Sequence, residues 1–123
     1  MKLTEAEENV MGYLWNMQKA FMKDLLDAFP EPKPAPTTVA TLLRRMIDKN
    51  FVAYRTYGNS REYRPLVSKE DYFSKHLDGL ITNHFDSSAA QFASFFTTAT
   101  DLTTAELEEL KTLIEQQIKD RKP

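Results

Sequence analysis

Apolar residues first recur at helical spacing in Val10, Met11, Leu14 and Trp15, behind Thr4 and Glu7, which form the Ser/Thr-x-x-Glu pattern of a capping box. This predicts a helix over about residues 5–17. A short break around Ala20 and Phe21 has room for a brief strand. Met22, Leu25, Leu26 and Phe29 then give an i, i+3, i+4, i+7 stripe that must stop at Pro30. Prolines at 30, 32, 34 and 36 make the next stretch a stiff connector, because each one pushes its predecessor out of the α region. Their spacing does not match a PxxP docking ligand. Pro36 suits the first turn of a third helix, over 36–49, whose buried stripe is Val39, Leu42, Leu43, Met46 and Ile47. At about 100° per residue, Thr37, Thr41, Arg44, Arg45 and Asp48 centre on the opposite side, with Thr38 and Ala40 on the flanks.

The period then changes from helical to alternating. In FVAYRTYGNSREYRPLV, β-branched and aromatic residues flank Gly58-Asn59-Ser60, the signature of a β hairpin. Pro65 either makes the second strand an edge or takes the chain out of the sheet. From residue 68 the pattern is helical again. Ser68 and Asp71 resemble a cap for a stripe of Phe73, Leu77, Leu80, Ile81 and His84. A short segment, 89–98, puts Ala89, Phe92, Ala93 and Phe96 on one face. Thr103 and Glu106 form a second capping box before Leu107, Leu110, Leu113, Ile114 and Ile118. The predicted architecture is mainly α with a small β hairpin: a winged helix-turn-helix domain over residues 1–67, followed by a helical region over 68–123. About 55 residues are near the lower limit for an independent core, so the second region is expected to bury its stripes against another copy. The residues expected to do so are Phe73, Leu77, Leu80, Ile81, Phe92, Phe96, Leu107, Leu110 and Ile114.

Charge adds what periodicity cannot. The chain of 123 residues has a net charge of -2, but the sum hides its distribution. Residues 33–67 hold seven basic side chains (Lys33, Arg44, Arg45, Lys49, Arg55, Arg61, Arg64) against Asp48 and Glu62, a local +5. The flanks are acidic, at -3 for residues 1–32 and -4 for residues 68–123. A basic centre on a winged helix is the footprint expected of a protein that meets duplex DNA. Threonines in the first turns of the third helix allow close approach to a major groove, and arginine can bridge guanine O6 and N7. Arg55, Arg61 and Arg64 would give the wing backbone contacts. The competing reading is a solvated helix face beside an edge hairpin kept soluble by charge, in a winged helix that serves as a protein–protein interaction module without DNA binding. Tyr54, Tyr57 and Tyr63 read as cross-strand and core packing.

Catalytic chemistry finds no foothold. With no cysteine in the chain, disulfides and thiolate chemistry are excluded. His76 and His84 lie eight apart without a ligand cluster, and the glycines at 12, 58 and 79 make no phosphate loop. Glu7-Glu8 and Glu108-Glu109 fall near first helical turns, where negative charge complements the helix dipole. No metal or other cofactor is expected. The N-terminal stretch lacks an apolar signal core, and no stretch reaches the roughly 18 apolar residues of a membrane span, so the expected setting is cytoplasmic.

The segments LTEAEENVMGYLW, PTTVATLLRRMIDKNFV, REYRPLVSKEDY and DLTTAELEELKTLIE, in this order and spacing, resemble the penicillinase repressor family (BlaI/MecI/CopY type) along almost the whole chain. The resemblance implies a winged-helix repressor that dimerises through its C-terminal helices and binds dyad-symmetric operators. In some members a membrane sensor's signal leads to inactivation by proteolysis; others respond to copper. Matched position by position, it places Thr37, Thr38, Ala40, Thr41, Arg44 and Arg45 on the DNA-facing helix and Arg61 in the wing. Ala35 stands where relatives often carry a capping side chain, and Ala40 where some have a polar one. The bond cut by a regulatory protease, Asn-Phe in the resistance regulators, corresponds to Phe95-Phe96 here. The copper branch carries a cysteine-rich tail motif, which this chain lacks.

Overall fold

A computed structural model describes residues 2–123. Its elements are α1 (Glu5–Met17), β1 (Ala20–Phe21), α2 (Met22–Ala28), α3 (Pro36–Asp48), β2 (Val52–Tyr57), β3 (Ser60–Pro65), α4 (Lys69–His84), α5 (Ala89–Ala99) and α6 (Thr104–Arg121). The chain forms two compact units, the first ending at Lys75 and the second spanning His76–Pro123.

In the first unit the helical stripes meet as their spacing requires. Val10, Met11 and Leu14 of α1, Leu25 of α2, and Val39, Leu43 and Met46 of α3 are all fully buried, closed on one side by Val52 and Tyr63 of the sheet. Leu42, Ile47 and Phe29 pack at the margin. Phe29 itself lies one residue beyond α2, at its C-cap, because Pro30 follows. Trp15 donates its indole N–H to the Val67 carbonyl at 2.8 Å and rests 5.6 Å from the Tyr72 ring. Tyr72 is buried edge-on against Phe51 and donates to Glu8 Oε2 at 2.6 Å. The start of α4 therefore belongs to this unit, and so does Phe73, whose ring lies 5.7 Å from Trp15.

The hairpin expected from the sequence is the larger part of a three-stranded antiparallel sheet of order β1-β3-β2. The brief strand at Ala20–Phe21 pairs with Tyr63 and Glu62. Of the two outcomes open to Pro65, the edge strand is the wrong one, since β3 is central. Pro65 is its last residue, opposite Val52 and past the stretch paired with β1, so its missing N–H costs no bond to that strand. The turn itself is two residues long, between Tyr57 and Ser60. Gly58 leads it at φ +59°, where a β-carbon is strained. Gly58→Ala is expected to cost about 1 kcal/mol in urea unfolding; no loss at all would show that the turn can re-form in another geometry.

Glu7 has a larger role than dipole complementarity. The capping box forms, with Thr4 N–H donating to Glu7 Oε1 at 2.8 Å and Glu7 N–H donating to the Thr4 hydroxyl at 3.2 Å. The Glu7 side chain is also completely buried, and Oε1 accepts a 2.7 Å bond from Lys49 Nζ at the end of α3. Burial pushes its pKa up, but the Lys49 ammonium and the Thr4 donors outweigh this and hold it below the ordinary value of 4.5.

The second unit contains the rest of α4, with α5 and α6. Ser88 caps α5 through a 3.1 Å bond from the Gln91 N–H, and Thr103 with Glu106 forms the expected box at α6. Phe85, Phe92, Phe95 and Phe96 cluster, with the Phe92 and Phe96 rings stacked at 6.2 Å. None of the described residues of this unit is fully buried.

Candidate nucleic-acid interface

Helix α3 begins at Pro36 with no side-chain cap, as Ala35 dictates. Its buried stripe fixes the helix against α1 and the sheet, and that leaves Thr37, Thr38, Ala40, Arg44 and Arg45 exposed. Thr41 is half-buried and turns its hydroxyl back to the Thr37 carbonyl at 3.0 Å. Helical geometry separates the two adjacent arginines by about 100°. Arg44 and Ala40 take the flank that faces the wing; Arg45 and Thr38 take the other.

On the wing, alternation sorts the basic residues between two faces. Tyr54 stands opposite Tyr63 and Thr56 opposite Arg61, which puts Tyr54, Tyr63 and Arg61 on the face toward α3. Together with Ala40, Thr41, Leu43, Arg44 and Ile47 they line a cleft of about 360 Å³. The Arg61 guanidinium lies over the Tyr54 ring, 4.3 Å from its centroid. Arg55 is on the opposite face, beside Tyr57 and across from Glu62. The Tyr57 hydroxyl, with a smaller contribution from Glu62, raises its pKa above the ordinary arginine value. Arg64 shares that far face and lines a separate cleft with Gly12, Trp15 and Ser68.

The structure thus gathers four of the expected contact residues, Ala40, Thr41, Arg44 and Arg61, around one cleft. It sets Thr37, Thr38 and Arg45 on exposed parts of the same helix and leaves Arg55 on the other side of the wing. Two of the seven cations counted in the basic segment serve the fold. Lys33 Nζ donates to the carbonyls of Leu26, Asp27 and Phe29 at the end of α2, and Lys49 is bound to Glu7 and to the Lys2 carbonyl. Sequence reasoning took Tyr54 for packing alone and overlooked its contact with Arg61. The signal was present: a two-residue turn after Tyr57 fixes the register, and the register puts residues 54 and 61 diagonally on one face.

Of the residues expected at a subunit interface, Phe73 lies in the first unit and remains partly exposed. In the second unit Leu77, Leu80, Leu107 and Ile114 are 40% or more exposed, while Ile81, Phe92, Phe96 and Leu110 are half-buried. Phe95 and Phe96 lie in the middle of α5, with Phe95 56% exposed. Among the described residues, no group of three or more His, Asp or Glu side chains is placed to hold a metal ion, and no helix is long and apolar enough to cross a membrane.

Comparison with known proteins bears directly on this interface. A sequence profile of the family described as penicillinase repressor matches residues 3–116. The chain belongs to the penicillinase repressor family. Among curated relatives, the methicillin resistance regulatory protein MecI of Staphylococcus aureus is 24% identical over 114 residues, 92% of this chain and 93% of that protein. The solution structure of the DNA-binding domain of the repressor BlaI superimposes with a TM-score of 0.51 at 24% identity, over 58% of this chain and 88% of that one. A second solved structure with a similar fold is BpsR of Bordetella bronchiseptica, described in connection with regulation of its DNA binding by 6-hydroxynicotinic acid. It aligns over 94% of this chain and 80% of its own, with a TM-score of 0.50 at 16% identity. As a penicillinase-repressor-family member, the chain carries the family's winged helix in its first unit, with α3 in the position of the recognition helix.

Proposed function

We propose that this protein is a cytoplasmic transcriptional repressor that binds a dyad-symmetric DNA operator as a homodimer, one α3 helix in each of two successive major grooves. The observation that carries the reading is the exposed Thr37–Arg45 face of α3, flanked by a cleft into which the wing turns Arg61. Thr37, Thr38, Ala40 and Thr41 permit close groove contact, Arg44 and Arg45 supply base or phosphate contacts, and the wing arginines add backbone affinity. Arg55, on the outer face of the wing, would reach DNA only along the flank of the site. Similarity to a methicillin resistance regulator supports control of a drug-resistance function as the starting point for finding target genes. Selection of bound fragments from source genomic DNA tests the reading. Enrichment of sites with inverted half-sites about one helical turn apart is expected; a folded protein that enriches nothing at moderate salt would reject it.

Dimerisation is the second part of the reading. The second unit leaves Leu107, Leu113, Ile114 and Ile118 between 40% and 55% exposed along one helix, an apolar stripe that a like stripe could cover. Ile114→Glu is expected to weaken self-association at least tenfold in sedimentation equilibrium, leaving the first unit folded. An unchanged association constant would move the interface away from α6. Relief of repression by proteolysis at Phe95-Phe96 belongs to the same reading, and the exposure of Phe95 supports it. A protease would have to unwind α5 locally, since an extended backbone is needed at the cut.

A further inference from the structure

Arg44 and Arg61 reach one cleft from opposite walls, α3 and the wing. Neither has an acidic partner: the ion pair found among the described residues is Lys49–Glu7, and Asp48, one turn beyond Arg44, forms none. Glu62, next to Arg61 in sequence, is turned by alternation to the far face, opposite Arg55. Two uncompensated guanidinium groups therefore flank a hollow whose remaining lining is small or neutral: Ala40, Thr41, Leu43, Ile47, Tyr54 and Tyr63. Such a place favours a single anionic group.

An arginine at the second position of a strand, just past a hairpin turn, would ordinarily sample many rotamers. Here its guanidinium rests on the Tyr54 face at 4.3 Å. The Tyr54 ring is in turn held 6.0 Å from Tyr63, which is buried in the sheet. The anchor thus runs from core to ring to cation, and it ends at the cleft.

We propose that Tyr54 is a positioning residue that holds Arg61 in the cleft between α3 and the wing, where Arg61 and Arg44 together seat one DNA backbone phosphate. This rests on the DNA-binding reading and adds to it a division of labour. The wing-side flank of α3 grips the phosphodiester chain, and Ala40 stays small because the phosphate passes over it. Tyr54 touches no DNA in this arrangement; it limits the conformations that Arg61 must lose on binding.

Because a phosphate seat is indifferent to sequence, the test needs no operator. A fluorescein-labelled 30-base-pair duplex of random sequence is titrated with full-length protein over a range of salt concentrations. Arg61→Ala is expected to flatten the dependence of log affinity on log salt by about one unit, the loss of one phosphate neutralisation. Tyr54→Leu keeps the charge, so it is expected to leave the slope unchanged and weaken binding roughly two- to fivefold, the range of an exposed cation–π contact. Tyr54→Phe, which retains the ring, should bind as the parent does. In the Arg61→Ala background Tyr54→Leu should have no further effect. An equal loss in both backgrounds, or no loss in either, overturns the positioning role. Nuclear magnetic resonance of the free protein separates this result from failure of the DNA reading. Ring-current shifts of the Arg61 δ protons should vanish in Tyr54→Leu. A parent protein that shows those shifts yet binds no duplex at low salt refutes the phosphate seat together with DNA binding, while shifts absent from the parent refute the stacking on which the positioning rests.

Discussion

Lys49→Met is expected to lower the stability of the winged-helix unit by about 3 kcal/mol, the low end of the cost of breaking a buried ion pair. The Glu7 side chain has no contact with solvent, and its Oε2 has no hydrogen-bond partner in the structure, so the carboxylate depends on what Oε1 receives from Thr4 and Lys49. Removing the ammonium leaves a buried charge with a single backbone donor. The low end applies because the Lys49 side chain is 23% exposed and water can approach that side of the pair. Urea unfolding followed by Trp15, the chain's sole tryptophan, would read the loss. A loss below about 1 kcal/mol would mean that solvent replaces the lysine. Pairing Lys49→Met with Glu7→Gln should recover part of the stability, since the amide needs no counter-ion and can still accept from the Thr4 N–H.

The same pair sets an acid limit. A carboxylate whose folded pKa is lowered contributes stability that is fully present above its unfolded value, here 4.5, and is lost as pH falls through the lower folded value. Unfolding free energy should therefore decline below pH 4.5 in the parent protein, and decline less steeply in Glu7→Gln. Identical pH profiles for the two would assign acid unfolding to other carboxylates. Because Lys49 closes α3 and Glu7 opens α1, this loss would also free the end of the recognition helix.

Changing both Arg44 and Arg45 to alanine is expected to weaken operator binding about a hundredfold, close to 3 kcal/mol, from two contacts worth roughly 1–3 kcal/mol each. Both side chains are exposed and neither carries a buried partner, so the fold should survive, as circular dichroism can verify. The single variants should differ in kind. Arg44, beside the wing, is expected to take most of its effect from the salt slope. Arg45, on the other flank, should retain at high salt whatever part of its effect comes from a base edge. Unchanged affinity and unchanged salt dependence in the double variant would remove α3 as the DNA-facing helix.

Local pattern carried far in this chain. The capping pairs Thr4/Glu7 and Thr103/Glu106, the start of α3 at Pro36 and the two-residue turn at Gly58 follow from residues within four positions of one another. That is the range over which backbone donors find side-chain partners. The apolar stripes of α1, α2 and α3 were legible because a helix repeats its core face every three to four residues. The basic segment was legible as a sum, but its use was not. Lys33 and Lys49 count toward the +5 on paper, yet one closes α2 and the other neutralises Glu7, partners six or seven and 42 residues away.

The sequence by itself determined the helices and hairpin of a winged helix, the face of α3 left to solvent and, through the ordered motifs it shares with its relatives, the repressor family. Tertiary structure decided that β1 joins the hairpin and makes β3 central, that Glu7 is a buried ion-pair partner rather than a surface charge, and that Arg61 faces α3 while Arg55 does not. It also decided that Tyr54 carries an arginine as well as packing a strand. The division has one physical cause. Caps, stripes and turns are set by neighbours within a turn or two of chain, whereas burial and charge pairing depend on which distant surfaces close on one another, and that is fixed only when the core forms.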